Sequence, residues 1–139
     1  LTCTGDLTDI RYQARISVFD HPLNAAEAME LIDRVTAREC QARAQIWAGF
    51  YQALSVSFEV YLVKYRQRRV IFKQPRSPAL LSQRLSIMDT AGVLSLVLPA
   101  CGCWYQQYMD DTHLVAYQDP IQVAPFKAAV LNAGLYWLE

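Results

Sequence analysis

The sequence predicts an α+β fold: an antiparallel sheet with one long amphipathic helix packed on a face, plus shorter helices. Two observations indicate this class. Short segments in which apolar and polar residues alternate are typical of half-buried strands, and they are interspersed with segments of helical periodicity. The chain also lacks a regular strand–helix–strand rhythm and a glycine-rich phosphate loop, so nothing favours a parallel nucleotide-binding sheet.

The length and composition predict a single domain over residues 1–139. Apolar residues make up 53% of the chain and charged residues 19%, which excludes disorder and suits burial against a partner or a second copy. The formal net charge of zero argues against nucleic-acid binding by the whole surface. Residues 90–109 carry no formal charge, but only Val93–Leu98 is strongly apolar, so we expect a buried strand there and no membrane span.

The first part of the chain predicts a strand followed by a long helix. From Ile10 to Val18 apolar side chains alternate with polar ones, the period of a half-buried strand. Asn24 then supplies an N-cap with Glu27 three positions later, as in a capping box, and an apolar stripe of helical period continues to about Ala53. We therefore expect one continuous helix over residues 24–53.

The remaining elements follow from shorter patterns. Within the long helix, Glu39 and Arg43 are spaced to form a partly buried ion pair, although a functional carboxylate is the alternative. Alternating residues over 55–62 predict a second strand, which continues through a turn at Arg66–Arg69 into a returning strand, Val70–Lys73. Further on we expect helices over 77–88 and from Pro125 to Gly134, strands over 93–98 and 113–117, and a packed C-terminal segment over 135–138.

The most distinctive feature is the basic segment over residues 64–76, which holds six of the thirteen basic residues and no acidic residue. Both flanks are net acidic. Arginine and aromatic residues favour interfaces, and guanidinium groups bind carboxylates through paired hydrogen bonds. The structural alternative is a solvated hairpin tip, or one folded back onto the acidic flanks. The candidate partner-binding residues are Lys64, Tyr65, Arg66, Arg68, Arg69, Phe72, Lys73 and Arg76.

A second cluster, Asp110, Asp111 and His113, places two carboxylates and an imidazole within four residues. Such groups can bind a divalent cation, and His113 could act in acid–base chemistry. The string Tyr108-Met-Asp-Asp111 resembles the YMDD box of reverse transcriptases, which implies metal ions held for nucleotidyl transfer. The resemblance is confined to this short stretch. The structural alternative is an exposed turn that leads into the next strand.

The four cysteines leave their redox state and the cellular compartment open. Separate bridges from Cys101 and Cys103 to Cys3 and Cys40 would suit an exported protein, whereas free cysteines would behave as small buried hydrophobic residues. A Cys-x-x-Cys pair is absent, which argues against structural zinc. A nucleophilic cysteine would need a histidine beside it in the fold.

These patterns together favour a non-catalytic protein–protein interaction domain of the inhibitor, immunity, adaptor or complex-subunit type. We expect its basic hairpin to bind a partner protein with an acidic surface, or its own copy. A metal-dependent enzyme that uses Asp110, Asp111 and His113 is the first alternative. A nucleic-acid-binding module, in which arginine contacts phosphate and Tyr65 or Phe72 stacks on bases, is the second. No pattern implies a cofactor.

Overall fold

The computed structural model describes residues 10–86, 94–108 and 111–139 of the chain. The strands within these ranges are β1 Tyr12–Ser17, β2 Tyr61–Arg66, β3 Arg69–Lys73, β4 Ser95–Leu98, β5 Cys103–Gln106, β6 Thr112–Tyr117 and β7 Tyr136–Leu138. They form one antiparallel sheet in the order β3-β2-β4-β5-β6-β1-β7. The helices are α1 Ala25–Ala28, α2 Ala37–Ser57, α3 Pro78–Ser86 and α4 Ala124–Asn132. The predicted α+β class is confirmed.

One hydrophobic core joins α2, α3 and α4 to a single face of the sheet. Phe50 of α2 packs edge-on against Tyr105 of β5 and Phe126 of α4, with ring centroids 5.9 and 6.0 Å apart. Leu81 and Leu85 of α3 are buried in the same cluster. Burying each large apolar side chain contributes roughly 1.5–3 kcal/mol, so these contacts fix the helices on this face.

The prediction of one continuous helix over 24–53 is wrong in its extent. The Asn24–Glu27 capping box is present, and α1 runs into a π-helical turn over Met29–Asp33. The chain then leaves the helix, because Thr36 is extended and its hydroxyl accepts the backbone N–H of Glu39 at 3.2 Å as a new N-cap. This restart changes the helical phase, so Trp47 and Tyr51 join Phe50 and Leu54 on the buried face.

The Glu39–Arg43 ion pair is confirmed, with Arg43 Nη2 3.7 Å from Glu39 Oε2. Glu39 is more exposed than we expected, since its side chain is 57% accessible, whereas Arg43 is mostly buried. An exposed pair at this spacing contributes only about 0.3–0.5 kcal/mol. Arg43 must therefore owe its burial to other contacts.

The strand predicted over 55–62 is also wrong in its first half. Helix α2 continues to Ser57, where the Ser55 hydroxyl donates to the backbone carbonyl of Tyr51 at 2.7 Å, and β2 begins only at Tyr61. Tertiary packing of Leu54 and Ser55 outweighs the strand-like alternation that follows. Val56, which alternation would have buried, is 69% exposed.

The second half of the chain follows the predictions more closely. Helices α3 and α4 lie where expected, and strands β4 and β6 match the predictions for residues 93–98 and 113–117 within their described parts. The C-terminal segment is packed as predicted, and it adds strand β7 beside β1. Strand β5 was not predicted, because Cys103–Gln106 is short and follows Pro99 and Gly102. Within the described ranges, every helix is too short or too polar to cross a membrane.

Candidate functional site

The β2–β3 hairpin projects beyond the rest of the sheet. Strand β2 pairs with β4 only at Tyr61 and Leu62, whereas it pairs with β3 from Leu62 to Arg66. Beyond Val63 the hairpin is thus a two-stranded ribbon that no other described strand flanks. Such a ribbon has no core of its own. Its residues from 65 to 71 are all exposed.

The two faces of this ribbon differ in chemistry. Residues directly opposite each other in an antiparallel pair share a face, and neighbours along a strand alternate between faces. The observed register pairs Lys64 with Ile71 and Arg66 with Arg69, while Tyr65 pairs with Val70. We name the first side the cationic face and the second side the apolar face. The cationic face carries Lys64, Arg66, Arg69, Ile71 and Lys73, and the apolar face carries Val63, Tyr65, Val70 and Phe72.

The cationic face continues into a groove between the hairpin and α3. This groove has a volume of about 370 Å³, and its lining includes the basic side chains of Lys64, Lys73, Arg76 and Arg84. Leucine side chains at Leu62, Leu80 and Leu81 also line it, and none of the described lining residues is acidic. Arg84 lies outside the predicted set. Four cations around one concave surface favour occupation by an anionic group.

None of the six basic residues of the 64–76 segment forms an ion pair with an acidic residue in the described part of the chain. The acidic residues that are paired there contact His21 or Arg43 instead. Within these ranges the hairpin is therefore not folded back onto the acidic flanks. Its positive charge therefore faces solvent.

The hairpin turn holds two residues in unfavourable backbone conformations. Gln67 has φ of 46° and Arg68 has φ of 66°, as in the mirror-image turn that normally uses Asn-Gly. Non-glycine residues pay about 1–2 kcal/mol each for this left-handed conformation. The register also places Arg66 directly opposite Arg69, and like charges in that arrangement are destabilising. The backbone strain and the charge repulsion both destabilise the tip of the hairpin. Strained residues of this kind are often found at functional sites.

The apolar face divides into an exposed end and a sheltered end. Tyr65 is 64% exposed near the tip. Phe72 is half-buried and lines a cavity of about 220 Å³ with Val97 and Trp104 on the outer side of the sheet. The structure therefore separates Tyr65 and Phe72 from the cationic face, although the sequence grouped all of these residues together.

Asp111 of the predicted metal cluster acts as a structural anchor. Its Oδ1 accepts the indole N–H of Trp47 at 3.0 Å, and its Oδ2 lies 3.6 Å from Arg43 Nη1. The same Arg43 nitrogen donates to the Leu31 carbonyl at 2.6 Å, and the guanidinium lies 4.8 Å from the Phe19 ring centroid. These contacts join α2 to the loops that flank it, and they explain why Arg43 is buried.

His113 is buried beside Asp111 but faces a different set of groups. Trp47 stacks on its ring at a centroid distance of 3.9 Å, and the Tyr105 hydroxyl hydrogen-bonds to its Nδ1. Burial lowers the pKa of His113 to about 3, and a hydrogen bond to the backbone of Tyr108 opposes that shift only in part. The imidazole is therefore neutral at pH 7.

A cluster of buried polar groups lies next to this histidine. The Gln107 side-chain amide donates to the Leu85 carbonyl at 3.0 Å and to the Tyr51 hydroxyl at 3.1 Å. Tyr105 lies near Tyr51, whose pKa it influences, and its hydroxyl hydrogen-bonds to His113. Burial raises the pKa of Tyr51 to about 12 and that of Tyr105 further above its ordinary value, so both hydroxyls stay protonated. This network ties α2 and α3 to the sheet.

The metal hypothesis stays a prediction. Asp110 lies outside the described residues, as does Met109 of the motif that resembles a YMDD box. In the described ranges, no group of three or more potential ligands is arranged to hold a metal ion. The Asp111 carboxylate and the His113 ring are both occupied by contacts with the protein itself.

The replacement Asp111→Ala tests which role the carboxylate plays. It removes the acceptor of the Trp47 indole N–H and one of the anionic partners of Arg43, so we expect the free energy of unfolding to fall by about 1–3 kcal/mol. The loss should be the same in chelator and in added magnesium, calcium, manganese or zinc. The exposed Asp33→Ala is the matched control and should change stability little. A cation-induced rise in melting temperature that only Asp111→Ala abolishes would instead support a metal site.

The described cysteines are free. Cys40 is exposed, Cys101 and Cys103 are buried, and Cys3 lies outside the described residues. Burial raises the pKa of both Cys101 and Cys103, which keeps them as thiols at neutral pH.

No protein-family model, curated protein or solved structure matches this chain.

Proposed function

We propose that this domain is a non-catalytic protein-binding module and that the cationic face of its β2–β3 hairpin binds an acidic surface on a partner protein. The observation that carries the proposal is the set of basic side chains without described acidic partners on a projecting ribbon. The groove lined by Lys64, Lys73, Arg76 and Arg84 extends the same charge toward α3. Exposed arginines beside apolar residues are the composition expected of an interaction surface.

The mixture of apolar and basic residues on this surface favours a protein partner over nucleic acid. Leucine side chains line the groove between the cations, and Ile71 is exposed on the cationic face. A protein partner can offer carboxylates and apolar side chains together, which matches this mixture. Nucleic-acid sites rely chiefly on phosphate contacts and on flat aromatic platforms. The aromatic residues of the hairpin, Tyr65 and Phe72, lie on the other face.

Affinity capture from nuclease-treated lysate of the source cells tests this function. The bait is the wild-type domain, compared with the hairpin variant Arg66→Ala/Arg68→Ala/Arg69→Ala. The matched control removes three exposed arginines elsewhere, Arg15, Arg34 and Arg38, so both variants lose the same charge. We expect a protein that the wild type and the control retain but the hairpin variant loses, and that added salt releases.

Two results would contradict the proposal. Equal recovery from all three baits would show that the hairpin cations do not form the docking surface. Nucleic acid that the wild type and the control capture from untreated lysate, but that the hairpin variant does not capture, would transfer the hairpin to nucleic-acid binding. Each variant is first shown to melt as cooperatively as the wild type, so that loss of capture cannot come from unfolding.

A further inference from the structure

Strand β3 is an open edge of the sheet. It is the terminal strand in the observed order, and no described strand pairs with its outer side. Its residues Arg69, Val70, Ile71 and Lys73 are exposed. An exposed edge presents unpaired backbone N–H and C=O groups that can accept another strand.

The turn geometry identifies which backbone groups point outward. In a hairpin with a two-residue loop, the residues that flank the loop exchange both backbone hydrogen bonds, and the pattern then alternates along the strands. Arg66 and Arg69 flank the loop here. The backbone groups of Arg69, Ile71 and Lys73 therefore face β2. Those of Val70 and Phe72 face the open edge.

We infer that the partner supplies an extended acidic segment that adds to β3 as an eighth strand of the sheet. This inference rests on the proposed function and names its mode of binding. Side chains of an added strand alternate between the two faces of the ribbon. Those beside Arg69 and Lys73 would be acidic, and those beside Val70 and Phe72 would be apolar. The acidic side chains at alternate positions would give specificity for Arg69 and Lys73. The backbone groups of Val70 and Phe72 would bind the segment through hydrogen bonds.

A labelled, capped peptide of alternating glutamate and valine is the probe, and fluorescence anisotropy measures its binding. A control peptide has the same composition with the glutamates and valines in separate blocks, so its charge is identical. We expect the alternating peptide to bind the wild type at least roughly tenfold more tightly. Methylating the backbone nitrogens that face β3 should abolish this preference, whereas methylating those that face away should preserve it.

Substitutions in the domain, in place of changes in the peptide, test the same edge of β3. Val70→Pro removes an outward N–H and keeps every cation, so it should weaken the alternating peptide roughly tenfold. Tyr65→Pro is the matched control, because it alters the free side of β2 instead. Strand addition would be overturned if both peptides bound equally well and Val70→Pro had no effect. If this binding were still lost in Arg66→Ala/Arg68→Ala/Arg69→Ala, the proposed function would stand. Failure of both peptides to bind would count against both.

Discussion

Acidification is expected to destabilise this protein steeply between pH 6.5 and 3, because His113 is buried as a neutral ring. Its pKa is about 3 in the folded state and 6.5 when the chain is unfolded. A group whose pKa is lower in the folded state contributes stability above its unfolded pKa. That contribution is lost as the pH falls toward the folded pKa. We expect a loss on the order of 1 kcal/mol per pH unit across this window.

The contacts around the ring explain the size of this effect. A second proton would place a positive charge on a ring that stays stacked on Trp47, away from water, and the Tyr105 hydroxyl could no longer donate to Nδ1. Urea unfolding at a series of pH values measures it, and His113→Gln should flatten the slope between pH 6 and 4. His21 is an internal contrast, since hydrogen bonds to Asp20 and Glu27 raise its pKa. Identical slopes for His113→Gln and the wild type would contradict this account.

Removal of the Tyr105 hydroxyl should destabilise the protein, because a buried hydrogen bond is lost. Tyr105 is fully buried, and its hydroxyl is hydrogen-bonded to His113 Nδ1. Tyr105→Phe leaves the His113 Nδ1 atom without this partner in a dry interior, and an unsatisfied buried group costs about 1–3 kcal/mol. We therefore expect about 1–3 kcal/mol less stability in urea unfolding, with the ring packing preserved.

Tyr12→Phe is the matched control for that measurement. Tyr12 stacks on Tyr117 at a centroid distance of 5.3 Å but is 43% exposed, so its hydroxyl can contact water. We expect its loss to change the free energy of unfolding by less than about 0.5 kcal/mol. If Tyr105→Phe were as mild as Tyr12→Phe, the hydrogen bond between Tyr105 and His113 would not contribute measurably to stability.

Local sequence patterns predicted the elements whose packing agrees with their own periodicity. The strand around Ala14 and Ile16 and the hairpin around residues 66–69 are of this kind. The break before Thr36 could not be predicted from the apolar stripe, because residues on both sides are compatible with a helix. The extension of α2 past Leu54 depends on burial against residues that are distant in sequence.

The candidate site likewise has features that the local sequence predicts and features that depend on tertiary packing. The basic segment could be located by counting charges along the chain. The alternation along one strand also predicts that Tyr65 lies on the opposite face from Lys64 and Arg66. Separating the cationic from the apolar face required knowing which residues pair across the turn. That Arg84 lines the same groove as Lys64 could be known only from the position of α3 in the fold. The role of Asp111 likewise depends on Trp47 and Arg43, more than sixty residues earlier in the chain.

Site-specific photo-cross-linking tests the central claim, that the hairpin is the docking surface, most directly. A benzophenone side chain replaces either Tyr65, beside the cationic tip, or Tyr136, an exposed tyrosine on the opposite edge strand. Irradiation in nuclease-treated lysate should join a discrete protein to the chain from position 65. The adduct should disappear when Arg66, Arg68 and Arg69 are changed to alanine, and position 136 should give none. Equal adducts from both positions, or a position-65 adduct that survives the loss of the arginines, would contradict the account.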